Sequence, residues 1–107
     1  MDLRQKLEND YSFVPDLEIG DGWLDLIDKL CYDLVNLPVP EDFRVIQVKE
    51  KFGGLRFYCN FYPEGVNKLV SEAENKSYKI CERCGSANEV KQEGSWIKTL
   101  CKNCREL

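Results

Sequence analysis

Cys81-Glu82-Arg83-Cys84, sixteen intervening residues that begin with Gly85, and Cys101-Lys102-Asn103-Cys104 close this chain of 107 residues. Two CxxC pairs at that separation have the form of a zinc ribbon. A CxxC turn presents two thiolates to one side of a metal at about 2.3 Å, and an intervening hairpin brings back the second pair to complete a tetrahedron. Gly85 suits a knuckle that needs positive φ. Between the pairs, residues 89–92 and 96–100 read as two short strands around a turn at Glu93-Gly94-Ser95. One structural Zn²⁺ on Cys81, Cys84, Cys101 and Cys104 is therefore expected, and its energy of binding would hold a ribbon too small for a core of its own.

Four cysteine ligands fill the coordination sphere, leaving no place for water or substrate. The chain has no histidine, which removes the commonest general base and every Ser/His or Cys/His nucleophile. Six cysteines in a short chain also suit a secreted disulfide framework. The opening Met1-Asp-Leu-Arg-Gln-Lys-Leu, however, has no basic region followed by an apolar run. A reducing cytoplasm, and metal in place of disulfides, is the expectation. The longest apolar stretches are only a few residues, too short to span a membrane.

The remainder, residues 1–78, reads as an α+β body joined to a ribbon at 79–107, and 43% apolar content suits a folded protein. Residues 2–11 carry Leu3, Leu7 and Tyr11 at helical steps, before Pro15 and Gly20-Asp21-Gly22 interrupt. Trp23, Ile27, Leu30 and Leu34, widened by Leu24, Cys31 and Val35, predict an amphipathic helix capped by Asp21 and ended by Pro38 and Pro40. Cys31 lies on the apolar stripe and reads as a core residue. Val66, Leu69, Val70, Ala73 and Ser77 predict a second helix, with Glu72, Glu74 and Lys76 outward, packed across a hairpin.

That hairpin is Phe43-Arg-Val-Ile-Gln-Val-Lys-Glu-Lys-Phe52, Gly53-Gly54, Leu55-Arg-Phe-Tyr-Cys-Asn-Phe-Tyr62. A two-residue Gly53-Gly54 turn would pair Phe52 with Leu55, Glu50 with Phe57, Val48 with Cys59 and Ile46 with Phe61. One face is then apolar apart from Glu50, and the other carries Gln47, Lys49, Lys51, Arg56, Tyr58 and Asn60. Glu50 among aromatics needs a reason, because a buried carboxylate is costly unless paired. It either reaches solvent or a lysine at the hairpin end, or serves binding as a partly buried acid. No second acid is spaced to work with it. An activity built on Glu50 with Arg56 or Tyr58 is the least favoured class.

Charge is unevenly divided. Residues 1–75 hold 8 Lys/Arg against 15 Asp/Glu, and residues 76–107 hold 7 against 4, giving −4 overall. Most of the acid lies in the first 42 residues, and this acidic half would repel a phosphate backbone and attract a basic protein. Asp21, Asp25 and Asp28 line one side of the first long helix, as a solubilising face or a docking one. A basic groove for nucleic acid would require Lys79, Arg83, Lys98, Lys102 and Arg105 to cluster with Lys49, Lys51 and Arg56.

Gly22-Trp23-Leu-Asp-Leu-Ile, Gln47-Val-Lys-Glu-Lys-Phe-Gly-Gly-Leu-Arg-Phe-Tyr58, Cys81-Glu-Arg-Cys-Gly85 and Trp96-Ile-Lys-Thr-Leu-Cys101 together resemble a family of small uncharacterised bacterial and phage zinc-ribbon proteins. The likeness runs from about Trp23 to Cys104. In members of that family the final ligand can be histidine; here it is Cys104, which preserves a four-ligand structural site. The resemblance implies a phage or prophage setting and no particular activity.

The leading expectation is a non-enzymatic module that binds a protein partner, with a basic partner suited to the acidic half. Its surface would include Lys49, Glu50, Lys51, Arg56, Tyr58 and Trp96. Trp96 serves there as an aromatic anchor, or else covers the zinc knuckles. A nucleic-acid-binding regulator is the second reading, since zinc ribbons occur in transcription machinery, though fold alone is a weak warrant.

Overall fold

The computed structural model describes residues 3–107, so Asp2 of the predicted first helix lies outside the described residues. The helix α1 (Leu3–Asp10) buries Leu7 and is followed by a short strand β1 (Leu17–Glu18) and a single 3₁₀ turn at Asp21–Trp23. Then come α2 (Leu24–Val35), β2 (Val45–Lys51), β3 (Gly54–Cys59) and α3 (Val66–Ser77). A second sheet of β4 (Lys91–Glu93) and β5 (Lys98–Leu100), with the one-turn helix α4 (Lys102–Arg105), completes the chain. The fold is α+β, with a ribbon-like four-cysteine unit at its C-terminal end.

The body sheet has the order β1-β2-β3, β1 parallel and β3 antiparallel to β2. Its inner face places Leu17, Val48, Leu55 and Phe57 against Trp23, Ile27, Leu30 and Leu34 of the first helical region and Val66, Val70 and Ala73 of α3. The helical periodicity of the sequence is thus the core-facing stripe. Val35 departs from it: at the last turn of α2 it is half exposed. Asp21 makes no capping bond; its carboxylate instead takes a 2.9 Å hydrogen bond from Arg4.

The hairpin register differs from the expected one by two. Lys51 pairs with Gly54, Glu50 with Leu55, Lys49 with Arg56 and Val48 with Phe57. The turn is Phe52-Gly53, with φ of 54° and 82°, the sign pattern of a type I′ turn. Because side chains alternate with period two, a slip of two keeps each residue on its expected face until the irregularity between Val45 and Gln47. There Val45 turns inward and Ile46 outward, reversing the expected placement of Ile46. Phe52 leaves the inner face for the turn, and Phe61 packs edge-on against Phe43. Gly54 is retained for a different reason: a Cβ there would lie 2.3 Å from the Tyr78 hydroxyl oxygen.

Both outer edges of the sheet are closed by side chains. Arg4 of α1 donates to the carbonyls of Leu17 and Ile19, each at 2.7 Å. On β3, the N–H of Leu55 donates to Ser77 Oγ, that of Phe57 to Glu74 Oε2 and that of Cys59 to the Tyr62 hydroxyl. Glu74 therefore turns toward the sheet and not outward, and together these acceptors remove the free edge that invites strand addition.

Cys31 is fully buried and Cys59 nearly so. Burial, with the nearby Asp28 carboxylate and Cys59, pushes the Cys31 thiol up to about 12; burial, with Glu74, pushes Cys59 up to about 11. Both are protonated core groups at neutral pH. In the unfolded chain they ionise near their ordinary value of 9.0, so the stability they contribute is present below that pH and is lost as pH rises toward 11 and 12. Urea midpoints measured from about pH 8 to 10.5 should fall with pH, and Cys31→Ala should flatten that fall while lowering the midpoint at pH 8. A midpoint independent of pH over this range would contradict the assignment.

Candidate metal centre and the cleft beside it

Each knuckle is built by the same backbone bond. Gly85 N–H donates to the Cys81 carbonyl at 2.9 Å, and Arg105 N–H donates to the Cys101 carbonyl at 3.0 Å. Gly85 has φ of 86°, the left-handed conformation expected of it. The hairpin between the pairs is shorter than its sequence suggested: its strands are Lys91–Glu93 and Lys98–Leu100, and the turn widens to include Trp96 and Ile97. The four sulfur atoms of Cys81, Cys84, Cys101 and Cys104 lie within 4.8 Å of one another, with Cys84 and Cys101 at 3.6 Å. Thiolates about 2.3 Å from a tetrahedral ion lie about 3.8 Å apart, so the donor set fits one thiophilic metal ion. Cys81, Cys101 and Cys104 are buried, and Cys84 is at the surface.

Four converging thiols cannot all ionise in one place without a cation. Burial opposes ionisation of Cys81, but backbone N–H groups of Cys101, Cys84 and Arg83 outweigh it and bring that thiol down to about 6. Burial and the hydrogen bonds to its three sulfur neighbours push Cys104 up to about 12. A bound dication would remove this conflict by stabilising all four thiolates.

The first knuckle is also where the ribbon meets the body. Gly22 N–H donates to the Glu82 carbonyl at 2.7 Å, Gly20 N–H to the Glu82 carboxylate at 2.9 Å, and the Trp23 indole N–H to the Ile80 carbonyl at 2.8 Å. A Cβ on Gly22 would sit 2.1 Å from the Cys81 carbonyl oxygen and 2.5 Å from Gly85 N. At the other end of the interface, Thr99 Oγ1 donates to the Gly53 carbonyl, and Glu50 reconciles the hairpin turn with the ribbon. Its carboxylate accepts from Gly53 N–H at 2.7 Å and faces Lys98 Nζ at 3.4 Å. Glu50 is thus the end-of-hairpin acid paired with a lysine. The ribbon packs on the body through two sets of contacts, one at Ile80 and Glu82 and one at Lys98 and Thr99 of β5.

The expected surface residues part company here. Lys49, Glu50, Lys51 and Trp96 line one cleft of about 460 Å³, together with Phe52 and Ile97. Tyr58 lies beside it, with Lys49 Nζ 5.9 Å from its ring centre, whereas Arg56 turns away to the Tyr78 hydroxyl at 3.3 Å. Trp96 is 78% exposed and does not cover the knuckles. Phe52, expected on the apolar face, is the lining residue that the sequence pattern hides; its signal is the glycine that follows it, since an X-Gly pair also makes a type I′ turn.

Several of the named cations have partners within the chain. Lys98 pairs with Glu50, Lys102 with Glu89 and Arg105 with Glu93, while Arg83 donates to the Cys104 carbonyl. Of the acidic stripe, Asp21 bonds Arg4 and Asp28 accepts from Tyr11; elsewhere on α2, Asp33 pairs with Lys29. No helix among the described residues is long and apolar enough to cross a membrane. Comparison with protein-family models, curated proteins and solved structures gave no match.

Two variants test the centre and its seat. Cys81→Ser should cost the bound metal, read as metal per chain by mass spectrometry, and should release the ribbon to proteolysis; full metal content would contradict the ligand set. Gly22→Ala, with all four cysteines intact, should destabilise by about 1–3 kcal/mol through overpacking. An unchanged melting curve would mean that the body and first knuckle are not in contact.

Proposed function

We propose that this chain is a non-enzymatic zinc-ribbon module that binds another protein, with Zn²⁺ as the ion held by its four cysteines. The family likeness of its motifs suggests a phage- or prophage-encoded modulator or inhibitor of a host protein, acting in the cytoplasm of a bacterial cell. One observation carries the reading: the cleft in which the hairpin turn and the ribbon tip together expose Phe52, Trp96 and Ile97. Large apolar side chains gathered on one surface, rimmed by charge, have the composition of an interface and not of a solvated loop.

Phe52 strengthens it. A bulky residue at φ of 54° occupies a position that favours asparagine or glycine, and its ring is 66% exposed. Neither feature helps folding, so an outside contact is the natural reason for it. The metal supports this role by fixing the ribbon tip against the turn. An enzyme reading has less behind it, because the Glu50 carboxylate is engaged by Gly53 and Lys98. Nucleic-acid binding also has less behind it, because Lys98, Lys102 and Arg105 of the ribbon are each paired with a carboxylate of the chain.

Tagged, zinc-loaded protein incubated with nuclease-treated bacterial lysate should retain one stoichiometric protein. Binding that disappears with nuclease and returns with added DNA or RNA would replace this reading with the nucleic-acid one.

A further inference from the structure

The cleft at the hairpin turn has a chemistry that narrows what can fill it. Phe52, Trp96 and Ile97 give it an apolar lining, to which Lys49 and Lys51 add positive charge. The Lys51 ammonium lies 5.6 Å from the centre of the Phe52 ring and the Lys49 ammonium 5.9 Å from that of Tyr58. These cations are therefore held over aromatic faces beside the opening. Glu50 is the acid in the same wall, but it is already satisfied by Gly53 N–H and Lys98, and its side chain is only 14% exposed. The cleft thus presents positive charge next to exposed aromatic surface in a chain whose overall charge is −4.

We propose that this cleft is the docking site for a short acidic segment of a partner protein, in which one aromatic or aliphatic side chain is flanked by Asp or Glu. The assignment rests on the protein-binding reading above and specifies its partner. The apolar anchor would lie between Phe52 and Trp96, and the flanking carboxylates would meet Lys49 and Lys51. Charge complementarity selects this occupant for the cleft over a basic one, because the charges that line it, Lys49 and Lys51, are positive and its acid, Glu50, is already bonded to Gly53 and Lys98. It also selects a peptide over a nucleic-acid strand. A strand needs cations that continue along its backbone. Here Lys98, Lys102 and Arg105 are paired with Glu50, Glu89 and Glu93.

The site is composite. The Lys49, Lys51 and Phe52 side of the cleft belongs to the body hairpin, and Trp96 and Ile97 belong to the ribbon, joined by Thr99 to Gly53 and Lys98 to Glu50. Removing the metal should therefore abolish docking even though no ligand cysteine lines the cleft.

The test uses a displayed library of random twelve-residue peptides selected on the full zinc-loaded chain, and then the best peptide in fluorescence anisotropy. Expected are sequences rich in Asp and Glu around Phe, Trp or Leu. Affinity should fall at least tenfold in Trp96→Ala, in Lys49→Glu/Lys51→Glu and after chelation, and stay unchanged in Tyr32→Ala, an exposed residue of α2. Circular dichroism of each variant separates lost docking from lost folding. No enrichment, enrichment of basic peptides, or affinity indifferent to these changes overturns the assignment, as does competition by an oligothymidylate for the same site. If the lysate partner is retained by Trp96→Ala and by the double lysine variant, the cleft assignment fails while the protein-binding reading stands.

Discussion

The contact between Gly22 and the first knuckle is the constraint from which the rest of the arrangement follows. Two backbones approach there so closely that no side chain fits between them, and Gly22 N–H is bonded to the carbonyl of Glu82, between the two cysteines of that pair. The 3₁₀ turn that delivers Gly22 also delivers Trp23, whose ring fills the centre of the body and whose indole N–H reaches Ile80. One short segment thus ties the body core to the metal site. A metal that organises the knuckle also organises the surface against which Gly20 and Gly22 are laid, so binding energy at the four cysteines is shared by both parts.

The far side of the interface has a different character. Near Gly22 the contact is backbone on backbone and admits no variation in shape. At the hairpin turn it is made by side chains, with Thr99 on the Gly53 carbonyl and Lys98 on Glu50. The looser end opens into the cleft lined by Phe52, Trp96 and Ile97, whereas the tight end borders a polar cleft of about 450 Å³ lined by Arg4, Asp21, Glu82, Arg83 and Lys98. Meanwhile Arg4 and the Ser77, Glu74 and Tyr62 oxygens occupy the two sheet edges. Strand addition is thereby discouraged along the body, and the composite cleft remains the chemically distinctive place for a partner.

The features legible in the sequence were those with a period or a fixed spacing. Trp23, Ile27, Leu30 and Leu34 announced α2, Val66, Val70 and Ala73 announced α3, and the two CxxC pairs announced the converging sulfurs. What escaped was set by tertiary contact. The Gly53-Gly54 pair looks like a turn, but Gly54 is small for the sake of Tyr78, and Phe52 accepts the positive φ instead. The two-residue strand β1 is too short to carry a period, and it exists because β2 and Arg4 satisfy its backbone. Glu74 reads as a solvent-facing helix residue until β3 supplies a buried N–H for it. Asp21 reads as a cap, but it is the first residue of the 3₁₀ turn, with Gly20 at the cap position, and its carboxylate goes to the guanidinium of Arg4.

Hydrogen exchange of the Trp23 indole N–H and the Gly22 amide, followed by NMR with the metal bound and after chelation, tests the central claim that metal site and body are one structural unit. The account predicts slow exchange of both in the loaded protein and a large acceleration on chelation, although neither residue is a ligand. Equal protection in the two states, with loss confined to residues 79–107, would contradict it.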